Sequence, residues 1–540
     1  MQPIDLRNFR GEVPKTAVRK IPTEASAHAV NVRMSSGDLK SWQAPERVTN
    51  ISLRSGLVRS VFLYENEHWF SWTTKVSAIK SPIAQDDYAR IYFTGDGVPK
   101  VTSNLIATGG DPKPVAAYDL GVPPPEDIIS VSVSPDSEAD PADFSDDETR
   151  YYVMTYVTEY GEEGPSSLPS LAVDLLSPST DVVTLTLPIP RSNTQNITKK
   201  RIYVSQKKGS DTGYFKVVDL PIATTEWVDD VKGGQLGGPL VTTTFDIPPA
   251  NMQGLVMGEN GIAAGFAGNE FIISEAYQPY AYPVGYRHAV DDEIVAIAPT
   301  STGFVVATKG IPHAFSGVSP ASLAGRKLGA KQACVSGASL VDMGEFAIYA
   351  SPDGLVAAGE SSAEVITLDL FNKEEWEVFK PETIHAYFYE GYYIGFYGDT
   401  DGLGSGEGGF IYHPGSSDFV KLDFYATAGH NDMQRDVLYL VIKNKLYAWN
   451  SGSIAMAFTW RSKIFQGKST AYTCAKVYTE DPANVGFKMW VDGDLKMTVP
   501  NLLSEAFRLP PVRGSQWQFE LTGSAAVQRL VVDYAMGDLE

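Results

Sequence analysis

The residues of this 540-residue chain that could do chemistry are seven histidines, two cysteines and several clusters of carboxylates. The histidines stand at 28, 68, 288, 313, 385, 413 and 430, with neither the close pairing of a zinc site nor a His-Glu-x-x-His helix. Gly404-Ser405-Gly406 is no nucleophile elbow, because no strand and helix flank it to expose the serine. The stretch 398–407 looks like a calcium loop, but its glycine falls at the fourth position where the helix-loop-helix pattern needs one at the sixth, so it reads as an acidic inter-strand loop. Carboxylates between Glu126 and Glu148 lack ligand spacing and read as a linker. Cys334 and Cys474 are too far apart in sequence to suggest a disulfide framework and read as buried thiols. Acid pairs for glycoside hydrolysis depend on separation in space, which sequence does not give. The expectation is a chain with no catalytic residue, no metal and no cofactor.

Composition narrows the class. The net charge of −21 argues against general nucleic-acid binding, which needs a basic surface. Residues 1–60 depart from that balance, with ten Lys and Arg against five Asp and Glu, so a basic arm could dock on an acidic partner. No apolar run is long enough to span a bilayer, and Met1-Gln2-Pro3-Ile4-Asp5 has no signal-peptide pattern, so the chain reads as soluble and made in a cytoplasm. With 11% aromatic residues, 48 Gly and 34 Pro, strand formers and turn formers are abundant together, which favours an all-β protein.

The elements that would position any site follow from periodicity. Tyr151 to Thr158 alternates as a strand, and the Gly-Glu-Glu-Gly-Pro that follows ends it in an exposed, rigid, extended segment. Further short strands to Trp227-Val228-Asp229 complete a small sandwich resembling a fibronectin type III module. Strand pairs recur about every 40–50 residues from Gly261 through Gly303, Phe346, Tyr392 and Val437, the period of propeller blades. The predicted architecture is all-β: a β-propeller with an inserted fibronectin type III-like β-sandwich and a C-terminal β-sandwich. Its divisions are an irregular N-terminal segment 1–50, first blade or blades 51–120, the inserted sandwich 121–247, remaining blades 248–450 and the terminal sandwich 451–540.

Five motifs in order carry a resemblance: Phe9-Arg10-Gly11-Glu12-Val13-Pro14-Lys15, Tyr151 to Ser170, Asn260 to Asn269 with Ser274 to Pro283, Tyr349 to Val356, and Trp460-Arg461-Ser462-Lys463-Ile464-Phe465. Together they resemble the tail nozzle (tail tubular) proteins of short-tailed bacteriophages and related prophages. The resemblance implies a structural virion protein, assembled in the host cytoplasm. It would form a homohexameric ring below the portal-adaptor, carry tail fibres or spikes, and enclose and gate the channel through which phage DNA passes without sequence-specific binding. Within that reading the acidic loop with Asp399, Asp401 and Glu407 is expected to line the channel, and Arg7, Arg10, Lys15, Arg19 and Lys20 to contact the adaptor. Removing residues 1–20 is expected to leave a folded protein that no longer joins the tail. The competing reading is a carbohydrate-binding or glycan-hydrolysing β-propeller protein, with Tyr277, Tyr280 and Tyr282 as a sugar platform or, alternatively, as packing between blades.

Overall fold

A computed structural model describes residues 3–34, 36–137, 148–176, 178, 180–208, 211–231, 235–398 and 406–539. It is almost entirely antiparallel β-structure, built of propeller blades and two sandwiches in two compact units.

The first unit comprises residues 1–75, 292–316 and 324–540. It holds four-stranded blades at 294–327, 341–365 and 385–422, each a meander in which successive strands pair antiparallel. A further blade, 428–448, supplies only three of its own strands. Its fourth is Glu46–Arg47, which pairs with Lys445–Ala448, so a segment from the beginning of the chain completes the last blade. The hairpin of Ser60–Tyr64 and His68–Trp72 packs beside that blade. Tight turns set these registers: Glu390 and Gly391, and likewise Lys443 and Asn444, take positive φ in two-residue hairpins.

Residues 3–34 are more ordered than their irregular sequence suggests, because their strands pair with partners hundreds of residues away, which no local pattern reports. Ile4–Leu6 pairs with Val527–Asp533 of the terminal sandwich. Ser26–Val30 lies antiparallel to Phe458–Ser462 and touches Asp418–Leu422 in parallel, joining the 385–422 blade and the terminal sandwich in one sheet. Ile4, Leu6 and Phe9 are buried with Trp460, Phe487 and Phe519 in the terminal core. Removing residues 1–20 would therefore open that core, contrary to the sequence expectation.

The second unit comprises 76–291 and 317–323. Two blades, 77–119 and 253–289, frame the inserted sandwich. One of its sheets pairs Ser130–Ser134, Val182–Thr186 and Glu226–Asp229; the other pairs Tyr152–Thr158, Ile197–Lys208 and Asp211–Pro221. Tyr152, Met154, Leu185 and Ile202 fill the space between. The segment after the central strand is less exposed than its sequence suggests. Gly164, Ser167 and Ser170 donate backbone N–H groups to Tyr156, Met154 and Tyr152. The hydroxyls of Ser167 and Ser170 accept from the N–H groups of Met154 and Tyr152 at 3.2 and 3.0 Å. Every third residue thus straps the strand edge, whose N–H groups would otherwise lack partners, while Leu168 and Leu171 stay 77% and 80% exposed.

Two consecutive glutamates fasten this sandwich to its neighbouring blade. Side chains on extended backbone alternate, and Glu162 meets the blade: Arg90 Nη1 donates to its Oε1 at 2.8 Å and Tyr92 Oη at 3.0 Å, while Arg90 Nε donates to Asp86 Oδ2 at 2.8 Å. Glu163 meets the sandwich, accepting from Thr155, Tyr203 and Arg201 at 2.6 Å each. Burial pushes the Glu162 carboxyl up despite the Arg90 charge beside it.

Candidate functional site

The motif 9–15 sits where three elements of the first unit meet. Phe9 is buried edge-on against Trp460 at 5.0 Å, and the Trp460 indole N–H donates to the Arg10 carbonyl at 3.1 Å. Gly11 is glycine for want of room: a Cβ there would lie 2.4 Å from the Phe419 backbone nitrogen. Glu12 is buried, accepting from the Ala29 N–H and from Lys421 Nζ, both at 2.8 Å, with His28 Nδ1 3.3 Å away. Burial raises its carboxyl, but the bonds from His28, Lys421 and Ala29 outweigh that and hold it below the usual range. The motifs 9–15 and 460–465, at opposite ends of the sequence, are thus two halves of one staple.

The five basic residues expected to face an adaptor divide into two sets. Arg7 donates to Asp5 Oδ2 at 2.8 Å, and Asp5 is gripped by both Nε and Nη2 of Arg529 at 2.7 and 2.8 Å, which hold its carboxyl down to about 2. Arg10 donates to Asp418 Oδ1 at 2.9 Å and to the Ser416 carbonyl, and Lys15 donates to the Leu368 carbonyl. These three are bound within their own unit. Arg19 and Lys20 are exposed, and their side chains have no ion pair among the described residues. Of the acidic loop, Asp399 and Asp401 lie outside the described residues. Glu407 is half-buried at its base, against Gly398.

The three tyrosines near 280 do not form one platform. Tyr282 is fully buried and Tyr280 packs against the same core, its Oη donating to Gln278 at 2.8 Å. Tyr277 alone is largely exposed, on a left-handed backbone with φ of 59°. Cys334 and Cys474 are buried free thiols, and burial pushes the Cys334 thiol up to about 12. Among the described residues no group of three or more His, Cys, Asp or Glu side chains converges to hold a metal, and no helix is long and apolar enough to cross a membrane.

Sequence reasoning missed a cleft of about 390 Å³ beside the staple, lined by Asn8, Arg10 and Glu24 from the N-terminal segment, Arg33 and Trp42, and Tyr392, His413 and Asp418 from the 385–422 blade. Arg33 lies over the Trp42 ring at 4.8 Å and its Nη2 donates to Glu390 Oε2 at 2.7 Å. Trp42 and Tyr392 meet edge to face at 5.4 Å, as do Tyr392 and His413 at 5.0 Å. The lining is drawn from segments almost four hundred residues apart, so no spacing in the sequence signals it.

No family model and no curated protein sequence matches this chain. Among solved structures, "KlHsv2 with loop 6CD replaced by a Gly-Ser linker" aligns with a TM-score of 0.24 at 11% identity, over 38% of this chain and 64% of that one. Hsv2 of Kluyvelomyces marxianus aligns with a TM-score of 0.23 at 11% identity, over 39% and 62%. The AfRom2 CNH domain aligns with a TM-score of 0.24 at 7% identity, over 59% and 90%. The chain spans less than two thirds of both Hsv2 chains. At such scores these likenesses carry no functional argument, and the architecture rests on the sheets described above.

Proposed function

We propose that this chain is a structural protein of a bacteriophage virion, six copies of which form the tail nozzle below the portal-adaptor and enclose the DNA channel. The observation that carries the reading is the staple: the first and last motifs of the resemblance, 9–15 and 460–465, meet in one buried junction through Phe9, Arg10 and Trp460. Motifs that pack on each other are what a rigid ring subunit needs, since heterologous contacts close a ring only if each copy presents fixed faces. The role is architectural, with the blades and sandwiches holding those faces. The acidic net charge of −21 suits a lumen that DNA passes without sticking.

Within this reading the adaptor contact narrows to Arg19 and Lys20, the two members of the exposed basic set whose side chains no hydrogen bond or ion pair engages among the described residues. Tail fibres or spikes would attach to other faces, and assembly would take place in the host cytoplasm. Quantitative mass spectrometry of purified particles tests the proposal: this chain should be present at half the copy number of the portal protein, and its absence from particles would overturn it. In the Arg19→Glu/Lys20→Glu variant the chain should fold with an unchanged melting curve yet fail to join the tail. Normal incorporation would remove the assigned contact.

A further inference from the structure

We propose that the cleft beside the staple binds a neutral polyhydroxylated molecule, one or two sugar rings in size. The inference does not rest on the virion reading, because every group it uses belongs to the first unit alone. A volume of about 390 Å³ is in the range of small-molecule sites.

Charge selects the ligand class. Each guanidinium in the cleft already faces a carboxylate, Arg10 with Asp418 at 2.9 Å and Arg33 with Glu390 at 2.7 Å. An anion would have to compete with those partners, and a cation drawn to Glu24 would meet the guanidinium groups that line the same cleft. A neutral ligand with many hydroxyls needs neither charge displaced, because each hydroxyl both donates and accepts.

The cleft supplies matching groups. The Ser416 N–H donates to His413 Nδ1 at 3.1 Å, so the neutral ring carries its proton on Nε2, and among the described residues no hydrogen bond occupies that donor. The Asn8 amide reaches Glu24 Oε1 only at 3.4 Å, leaving both able to turn to a ligand. Donors and acceptors placed around a cleft of this size suit the hydroxyls of a sugar ring.

The test is isothermal titration of the full chain with methyl α-glucoside, methyl β-galactoside, N-acetylglucosamine, maltose and lactose, with phosphate and citrate as anion controls. At least one sugar should saturate with a Kd of about 1 mM or tighter, and His413→Ala and Asn8→Ala should each weaken it about tenfold. Tyr277→Ala, in the second unit, should leave binding unchanged. Either variant suffices if the other fails to fold, which thermal melting reads. No saturation by any sugar, tighter binding of phosphate or citrate than of every sugar, or sugar binding indifferent to both cleft variants would each overturn the proposal.

Discussion

Replacing Arg90 by Met should loosen the inserted sandwich from its blade in a way that depends on pH. The Arg90 and Glu162 side chains are 6% and 4% exposed, so solvent screens their pairing little. Met fills much of the same space but leaves Glu162 with the Tyr92 hydroxyl as its remaining side-chain donor. Removing one partner of a buried pair costs about 3–5 kcal/mol, which is roughly 100- to several-thousand-fold in a local opening constant. The sign with pH follows from the carboxyl. Burial already raises Glu162 in the folded state, and without Arg90, which pulls it down, it rises further. The folded variant then binds a proton that the unfolded chain has released, so stability is greatest below the ordinary carboxylate value and falls as pH rises toward the raised one. The variant's deficit relative to the parent should therefore be larger at pH 8 than at pH 5, by about 1.4 kcal/mol for each unit of additional shift. Hydrogen exchange by mass spectrometry on the full chain, read on peptides covering 152–170, measures local opening without assuming that all domains unfold together. Adding Glu162→Gln to Arg90→Met should reduce the pH dependence to the share carried by Asp86, whose carboxyl Arg90 also holds down. A loss of protection below about tenfold, or a loss equal at both pH values, would refute the reasoning.

Two further outcomes follow from groups in the first unit. His385 is buried beside Tyr387, Phe396 and Tyr425, and burial, aided by the nearby charges of Lys75 and Arg59, lowers it to about 3. The unfolded chain binds a proton below about pH 6.5 that the folded chain does not, so stability should fall with acidification toward pH 3 by up to about 1.4 kcal/mol per unit. His385→Phe should flatten that slope in urea midpoints measured from pH 4 to 8, and an unchanged slope would exclude this histidine as its source. Gly11→Ala places a Cβ 2.4 Å from the Phe419 nitrogen and 2.6 Å from its carbonyl oxygen, backbone atoms that cannot swing aside. The staple should weaken by about 1–3 kcal/mol, read as a lower melting temperature and faster tryptic cleavage after Arg10 and Lys15; parental values for both would show the close approach to be relieved at no cost.

What the sequence determined by itself was what local chemistry dictates. Alternation and turn residues located strands such as Tyr152–Thr158 and Val437–Ile442, because side-chain period and positive φ are properties of a few adjacent residues. The recurrence of strand pairs was enough for an all-β chain of blades and sandwiches, and apolar surroundings for both cysteines follow from their chemistry. Tertiary structure alone decided which distant residues meet. It turned the segment 1–50 into a strand of one blade and part of the terminal core, because a strand of two or three residues carries no periodicity and is stabilised by its partner. It also sorted five exposed basic side chains into three held by internal bonds and two with none among the described residues, a distinction set by where Asp5, Asp418 and Leu368 arrive in space. The cleft of Arg33, Trp42 and His413 belongs to the same class, since a concave surface exists only once its walls, drawn from segments hundreds of residues apart, have been folded together.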